Sequence, residues 1–516
     1  MFMKKLLYFY GSFFYFYLCN LLSLKIQITN SMSRKITFTL YFILTLFFTA
    51  LIPLIAGTNG IELTHDSGYY VQAARSFANA NLFLDIHGSR LTLYPPGYAL
   101  WLSFYKYTGL DILTFAMWSN AIFLLCLLIS SIFILKKTIS NPTLRLIAFI
   151  SLGLSTVMVQ NGVFLWSDLL FIVFSVAYLY ALTTFLENKT GISFLLLILY
   201  SVAGFYIRYI GITFIFSTII ALTLSGNFSI GEKTKNIISY VIYSGFFVVL
   251  WFIRNYVVSG SLSIEYNKGS KSFLKNIMDS LEIISTYFIP NSLASPIKLT
   301  FIIILIIACV FFSLKLRKQI PPAFNALISF AFSYLGFFIL INTIKDICDF
   351  DDRYLSPLFI PLMIVTFIII DKAIENFKYK KYLIAILCLW LIYPAYRTYK
   401  NGLQWYNGVG YNTANWKNNE VLNEVNKFSK NLIISNNPIP IILINSTTAY
   451  SMDFKDAQGK DFYFVEWTNG ERLLYLNTNE KEFKEQHTLK KIKKMKDATI
   501  YYHDDNAYRS ILKGEE

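Results

Sequence analysis

Long apolar runs separated by short polar links fill roughly the first 400 residues of the 516-residue chain. Stretches long enough to cross a bilayer, allowing for tilt, lie near 36–57, 113–135, 143–160, 168–186, 192–207, 208–224, 237–258, 299–314, 322–343, 356–371 and 382–397, eleven in all. The run 192–224 is divided because Arg208, in FYIRYIGI, would otherwise stand in mid-membrane, where a charge is costly, whereas a tight turn places it at a surface. After about residue 398 the pattern changes: Asn, Lys, Glu and Asp become common and apolar runs shorten to strand length. Here 414–428 has helical spacing, PIPIILIN (438–445) and ATIYY (498–502) read as buried strands, and 481–496 reads as a charged helix. The pattern predicts a polytopic α-helical membrane protein of about 11 transmembrane helices (32–397) with a small C-terminal α/β domain (398–516).

Composition agrees, with 55% hydrophobic, 18% aromatic and only 15% charged residues and a mean hydropathy of +0.48. The net charge of +15 does not mark a nucleic-acid binder, because Lys and Arg sit in small groups between apolar runs instead of on one face. With Arg34 and Lys35 inside, alternation places Lys136, Lys137, Arg145, Lys189, Lys233, Lys235, Lys315, Arg317, Lys318, Lys372, Lys378, Lys380 and Lys381 inside as well. The loops 58–112, 259–298 and 345–356 and the C-terminal domain then face outward, which predicts an extracytoplasmic location for them on a plasma (inner) membrane protein. Residues 1–31 carry a signal-like apolar stretch, and Met32 opens a plausible start, so this segment reads as an upstream extension or a surface-lying piece.

Five scattered cysteines and four histidines, of which only His65 and His87 share a loop, outline neither a disulfide framework nor a metal cluster. No cofactor is expected; His65 and His87 leave room for a divalent metal, but nothing else in the sequence supports one. Nucleotide loops and hydrolase or metalloprotease motifs are absent from the sequence.

Candidate chemistry gathers on one predicted face. Asp66, in THDSGYYVQAARSFAN, follows the first span by about ten residues, and ionisable groups near a membrane tend to be functional. Its plain alternative is the cap of a helix beginning at Ser67. On the same face Asp168 begins the fourth span, Arg208 marks the turn between the fifth and sixth, Arg254 and Asn255 close the seventh, and Arg353 opens the tenth. Singly, Asp168 reads equally as a helix-terminal anion, Arg208 and Arg254 as snorkelling anchors, and Arg353 as a partner of Asp351 or Asp352. Together, a carboxylate and several guanidiniums suit transfer of a sugar from a lipid phosphate: a base takes the acceptor proton and fixed cations hold the departing phosphate.

The order of THDSGYYVQAARSF, LYPPGYALW, WSDLLF, IRYIGI, WFIRNYVVSG and DRYLSPLFIPL over residues 36–397 resembles membrane glycosyltransferases of the GT-C superfamily. It resembles in particular the family 39-like branch that includes the protein mannosyltransferases and the aminoarabinose transferase of lipid A. The resemblance implies Asp66 as general base, Asp168 as a second catalytic acid, and Arg208, Arg254, Asn255 and Arg353 as contacts to the donor phosphate. His65, Tyr69, Tyr70, Tyr94, Pro95 and Pro96 would position the acceptor or its loop, the proline pair preceding a short surface helix. Protein mannosyltransferases usually carry Asp-Glu in the first loop; Ser67 follows Asp66 here, so a second acid is missing or is Glu62. The C-terminal domain does not resemble the carbohydrate-binding domain of some members.

The expected activity is that of an inverting glycosyltransferase using a polyprenyl-phosphate-linked sugar donor and a lipid, glycan or protein acceptor, with no nucleic-acid partner. A flippase of lipid-linked sugars would show internal repeats and polar residues at the midplane. A non-catalytic assembly subunit would leave Asp66 dispensable.

Overall fold

The structure, a computed structural model, describes residues 34–57, 59–262, 268–315, 321–345, 347, 351–375, 379–454, 457, 459–468 and 480–505. The segment 1–31 lies outside the described residues. All eleven apolar stretches are helical. Among the described residues eight helices have the length and apolarity to cross a membrane: Thr37–Ala56, Ile112–Thr138, Pro142–Val163, Asp168–Asn188, Ile230–Ser259, Pro322–Ile344, Ser356–Ile374 and Lys380–Tyr406. Three shorter apolar helices, Gly191–Ile207, Tyr209–Leu224 and Ser295–Phe311, complete the bundle of an integral membrane protein.

The long run breaks at Arg208, whose backbone is extended (φ −146°, ψ 136°) between one helix and the 3₁₀ turn Tyr209–Ile212. The hairpin is tight enough to need glycine, since a Cβ on Gly211 would come within 2.5 Å of the Gly204 carbonyl carbon.

At this end of the bundle lies the helix His65–Ala80, and its start corrects one expectation: the cap is Thr64, not Asp66. The Thr64 N–H donates to Ser67 Oγ at 3.0 Å, so the Asp66 side chain is released from capping. Pro95 and Pro96 lead into the short helix Gly97–Ser103, as expected. A Cβ at Gly97 would stand 2.6 Å from the Tyr206 carbonyl oxygen, so this turn docks directly on the Arg208 hairpin.

The C-terminal part holds a five-stranded sheet of order β2-β1-β3-β5-β4 (β1 Ile433–Ser435, β2 Tyr450–Ser451, β3 Phe462–Trp467, β4 Leu489–Lys494, β5 Ala498–His503). β1 is parallel to β2 and β3, and β5 runs antiparallel to β3 and β4. The strand expected at 498–502 is β5, but two other expectations are overturned. PIPIILIN forms the helix Ile439–Ile444, because Pro438 and Pro440 suit a first helical turn and cannot serve a sheet ladder. The segment 481–496 divides into the helix Glu480–Glu485 and the edge strand β4, whose lysines suit an unpaired edge. The helical stretch 414–428 is real but interrupted at Asn418, with Asn419 capping Glu420–Val425.

The helix Ile439–Ile444 joins this part to the bundle. A Cβ on Gly68 would lie 2.8 Å from Ile439, and Arg75 Nη1 donates to the Ile442 carbonyl at 2.7 Å. Ser451 N–H reaches the Ile86 carbonyl at 2.8 Å, and Gly88 (φ 72°) lies beneath the Phe454 ring.

Candidate active site

Two stretches bring the acids together. Residues 62–66 and 164–168 run side by side: Glu62 bridges Phe164 in parallel, Trp166 Nε1 donates to Thr64 Oγ1 at 2.8 Å, and Ser67 Oγ donates to the Leu165 carbonyl at 3.0 Å. Asp66 follows at the first turn of one helix and Asp168 at the first turn of another, positions where the helix dipole favours an anion.

Arg353 spans the two carboxylates. Its Nη2 lies 2.6 Å from Asp66 Oδ2 and its Nε 3.0 Å from Asp168 Oδ2. Asp168 Oδ1 in turn pairs with Arg208 Nη1. The result is an alternating chain Asp66, Arg353, Asp168, Arg208, with Asp168 only 1% and Asp66 19% exposed. The Arg353 guanidinium lies 4.2 Å from the centroid of the Trp166 ring, and Tyr354 lies between the two arginines, 5.2 Å from Arg353 and 5.8 Å from Arg208. The plain alternatives for Arg208 and Arg353 therefore do not hold: Arg208 is a buried ion-pair partner, while Asp168 is a helix-terminal anion that also pairs with both arginines. Arg353 uses only its backbone N–H on Asp351, at 2.9 Å. Asp352 is taken by Arg397.

Tyr94 OH donates to Asp66 Oδ1 at 2.9 Å. Burial pushes the Asp66 carboxyl up, but the Arg353 guanidinium and these hydrogen bonds outweigh it and hold Asp66 below the usual carboxylate range. Asp66 is thus an ionised acceptor at neutral pH. Burial and the Asp66 charge raise the Tyr94 phenol well above its ordinary value, so it stays a donor. The wall beside Asp66 is aromatic: Tyr70 lies 4.8 Å from Tyr94 and 4.9 Å from Tyr98 by ring centroids, and Tyr69 lies 5.9 Å from Tyr94 and 5.3 Å from His65. Burial lowers the His65 pKa, which keeps that ring neutral.

Arg254 and Asn255 stand apart from the chain of charges. Arg254 Nη1 donates to the Leu91 carbonyl at 2.6 Å and to Asn255 Oδ1 at 3.0 Å, over the Trp251 ring. Asn255 Nδ2 donates to Tyr209 OH at 3.2 Å, and that hydroxyl donates to the Thr92 carbonyl at 2.6 Å. These residues hold the loop that delivers Tyr94. Sequence reasoning missed Trp166 and Tyr354 as the faces against which the arginines pack; their only signal was adjacency to Asp168 and Arg353 in WSD and DRY.

No family profile and no curated protein matches this sequence. Two solved structures of ArnT from Cupriavidus metallidurans do match in fold. The one bound to undecaprenyl phosphate superposes with a TM-score of 0.58 at 9% identity, covering 91% of this chain and 98% of that one. The apo form gives 0.55 at 9% identity, covering 89% and 98%. The chain has the GT-C fold. That fold is shared along nearly the whole of both chains, at an identity too low to carry residue roles.

Proposed function

We propose that this GT-C-fold protein is an inverting glycosyltransferase that moves a sugar from a polyprenyl-phosphate donor to a hydroxyl of a lipid, glycan or protein on the extracytoplasmic face of the plasma membrane. The observation that carries the reading is the buried alternation of Asp66, Arg353, Asp168 and Arg208 at one end of the bundle. The ArnT structure bound to undecaprenyl phosphate supports the class of donor.

The chemistry follows from the charges. Asp66, ionised and aimed by Tyr94, takes the acceptor hydroxyl proton as the new C–O bond forms. The bond from sugar to phosphate breaks, its electron pair passes to the phosphate oxygen, and Arg353 and Arg208 offset the charge gained there. A guanidinium carries five N–H donors, more than the carboxylate contacts use, so each has donors left for phosphate oxygens. Asp168 touches both arginines and keeps them in place while the anion changes. Arg254 and Asn255 serve the donor through the 91–94 loop, and His65, Tyr69, Tyr70, Pro95 and Pro96 shape the acceptor side.

The test is Asp66→Asn in purified protein reconstituted with a radiolabelled polyprenyl-phosphate sugar. The amide keeps the size and the Tyr94 contact but not the basicity, so transfer should fall at least about a hundredfold with normal yield of folded protein. Well-folded Asp66→Asn that turns over at the wild-type rate would sink the base assignment.

A further inference from the structure

Glu62 lies four residues before Asp66, is 1% exposed, and does not touch the charged chain. Its surroundings are a three-way junction. On one side its backbone pairs with the Asp168-bearing segment: the Glu62 N–H donates to the Val163 carbonyl at 2.8 Å and Leu165 N–H to the Glu62 carbonyl at 3.0 Å. On the other side lies the stretch that follows the last span. Val409 N–H donates to Glu62 Oε2 at 2.8 Å and Tyr411 N–H to the Leu63 carbonyl at 3.0 Å. Asn412 Nδ2 donates to the Ile61 carbonyl at 2.7 Å, and Lys417 Nζ to the Asn59 carbonyl at 2.6 Å. Gly410 permits the approach, since a Cβ there would come within 2.3 Å of the Leu63 oxygen.

We infer that Glu62 is a positioning residue: its carboxylate ties the 408–412 stretch to the root of both acid-bearing segments, and so sets the spacing of Asp66 and Asp168 across Arg353. The inference rests on the transferase reading for its catalytic consequence but not for its geometry. Burial pushes the Glu62 carboxyl up to about 7, against the pull of the Val409 amide, Lys417 and Asn412. An apolar side chain in the same space would leave the Val409 N–H without this acceptor, so it is the polar end of Glu62 that makes the tie. The lever is short. Between Glu62 and Asp66 lie only Leu63, Thr64 and His65, and Thr64 is itself fixed to Trp166 and Ser67.

The test compares Glu62→Met, which fills the space but accepts nothing, with Glu62→Gln, which still accepts from Val409. Hydrogen exchange is followed at 62–67 and 408–412, alongside kcat and donor KM. Glu62→Met should speed exchange in both segments and lower kcat at least about tenfold, with donor KM within about twofold, because misplacing a catalytic group by a fraction of an ångström is felt mainly in the transition state. Glu62→Gln should restore slow exchange and at least half of kcat. Lys417→Met, at a half-exposed position, gives a second reading should Glu62→Met fail to fold: losing this cation should loosen 408–412 and 62–67 in the same direction. Unchanged exchange at 62–67 in Glu62→Met, or in Lys417→Met if the former does not fold, would overturn the inference. The exchange readout needs no turnover. If the wild-type protein transfers no sugar yet exchange responds as described, the transferase reading falls and the positioning role stands.

Discussion

Arg353 is the residue on which the candidate site turns, because one guanidinium reaches two carboxylates through different nitrogens while lying over Trp166. An ammonium is a point charge without that fork or that flat face. Arg353→Lys should therefore lose nearly as much activity as Arg353→Ala, about a hundredfold or more, since either leaves the buried Asp168 short of a partner. Arg254→Lys should keep its rate within a few-fold, because a lysine can still reach the Leu91 carbonyl. Steady-state rates on the three variants with wild-type yield decide it, and equal damage from Lys at both positions would return Arg254 to direct contact with phosphate. The charged residues themselves were legible in the sequence, Asp168, Arg208 and Arg353 at the ends of apolar runs and Asp66 about ten residues beyond one. Their pairing was not: Arg353 meets Asp168 across 185 positions, and no local pattern encodes so distant a contact.

Among the elements, the spans were read well because a bilayer-length apolar helix is written in composition alone. The small C-terminal elements were read less well. PIPIILIN is apolar throughout, and a short apolar run suits a buried strand as readily as a buried helix; its prolines favoured the helix. KKIKK is an edge strand exposed along its whole length, so no alternation marks it and its lysines resembled a helix face. The turn at Gly410 (φ 56°) tests how firmly the post-span stretch is set against the first loop. Gly410→Ala combines a left-handed backbone with a clash on the Leu63 oxygen and should cost at least about 2 kcal/mol. Gly109→Ala, also at positive φ (74°) but with nothing within 4 Å, should cost about half that. Thermal unfolding of the detergent-purified variants measures both, and equal losses would mean that the contact with Leu63 carries no weight.

For the whole molecule, the packing of Ile439–Ile444 on His65–Ala80 puts the first loop and the sheet on one side of the membrane. Cysteines introduced at Ser89 and Lys460 should react with an impermeant probe from the same side, and one at Lys136 from the other; labelling of Ser89 and Lys460 from opposite faces would refute the topology. The sequence by itself determined the membrane class, the apolar stretches that become helices and the charged residues worth watching, because burial in lipid demands apolar length and makes each exception conspicuous. Only the tertiary structure decided that Asp66 is not a helix cap, that Arg353 joins it to Asp168, and that the C-terminal part grips the root of the candidate site through Val409 and Glu62. Those facts depend on hydrogen bonds and ion pairs between segments hundreds of residues apart, whose partners are chosen by how the helices pack and not by their local sequence.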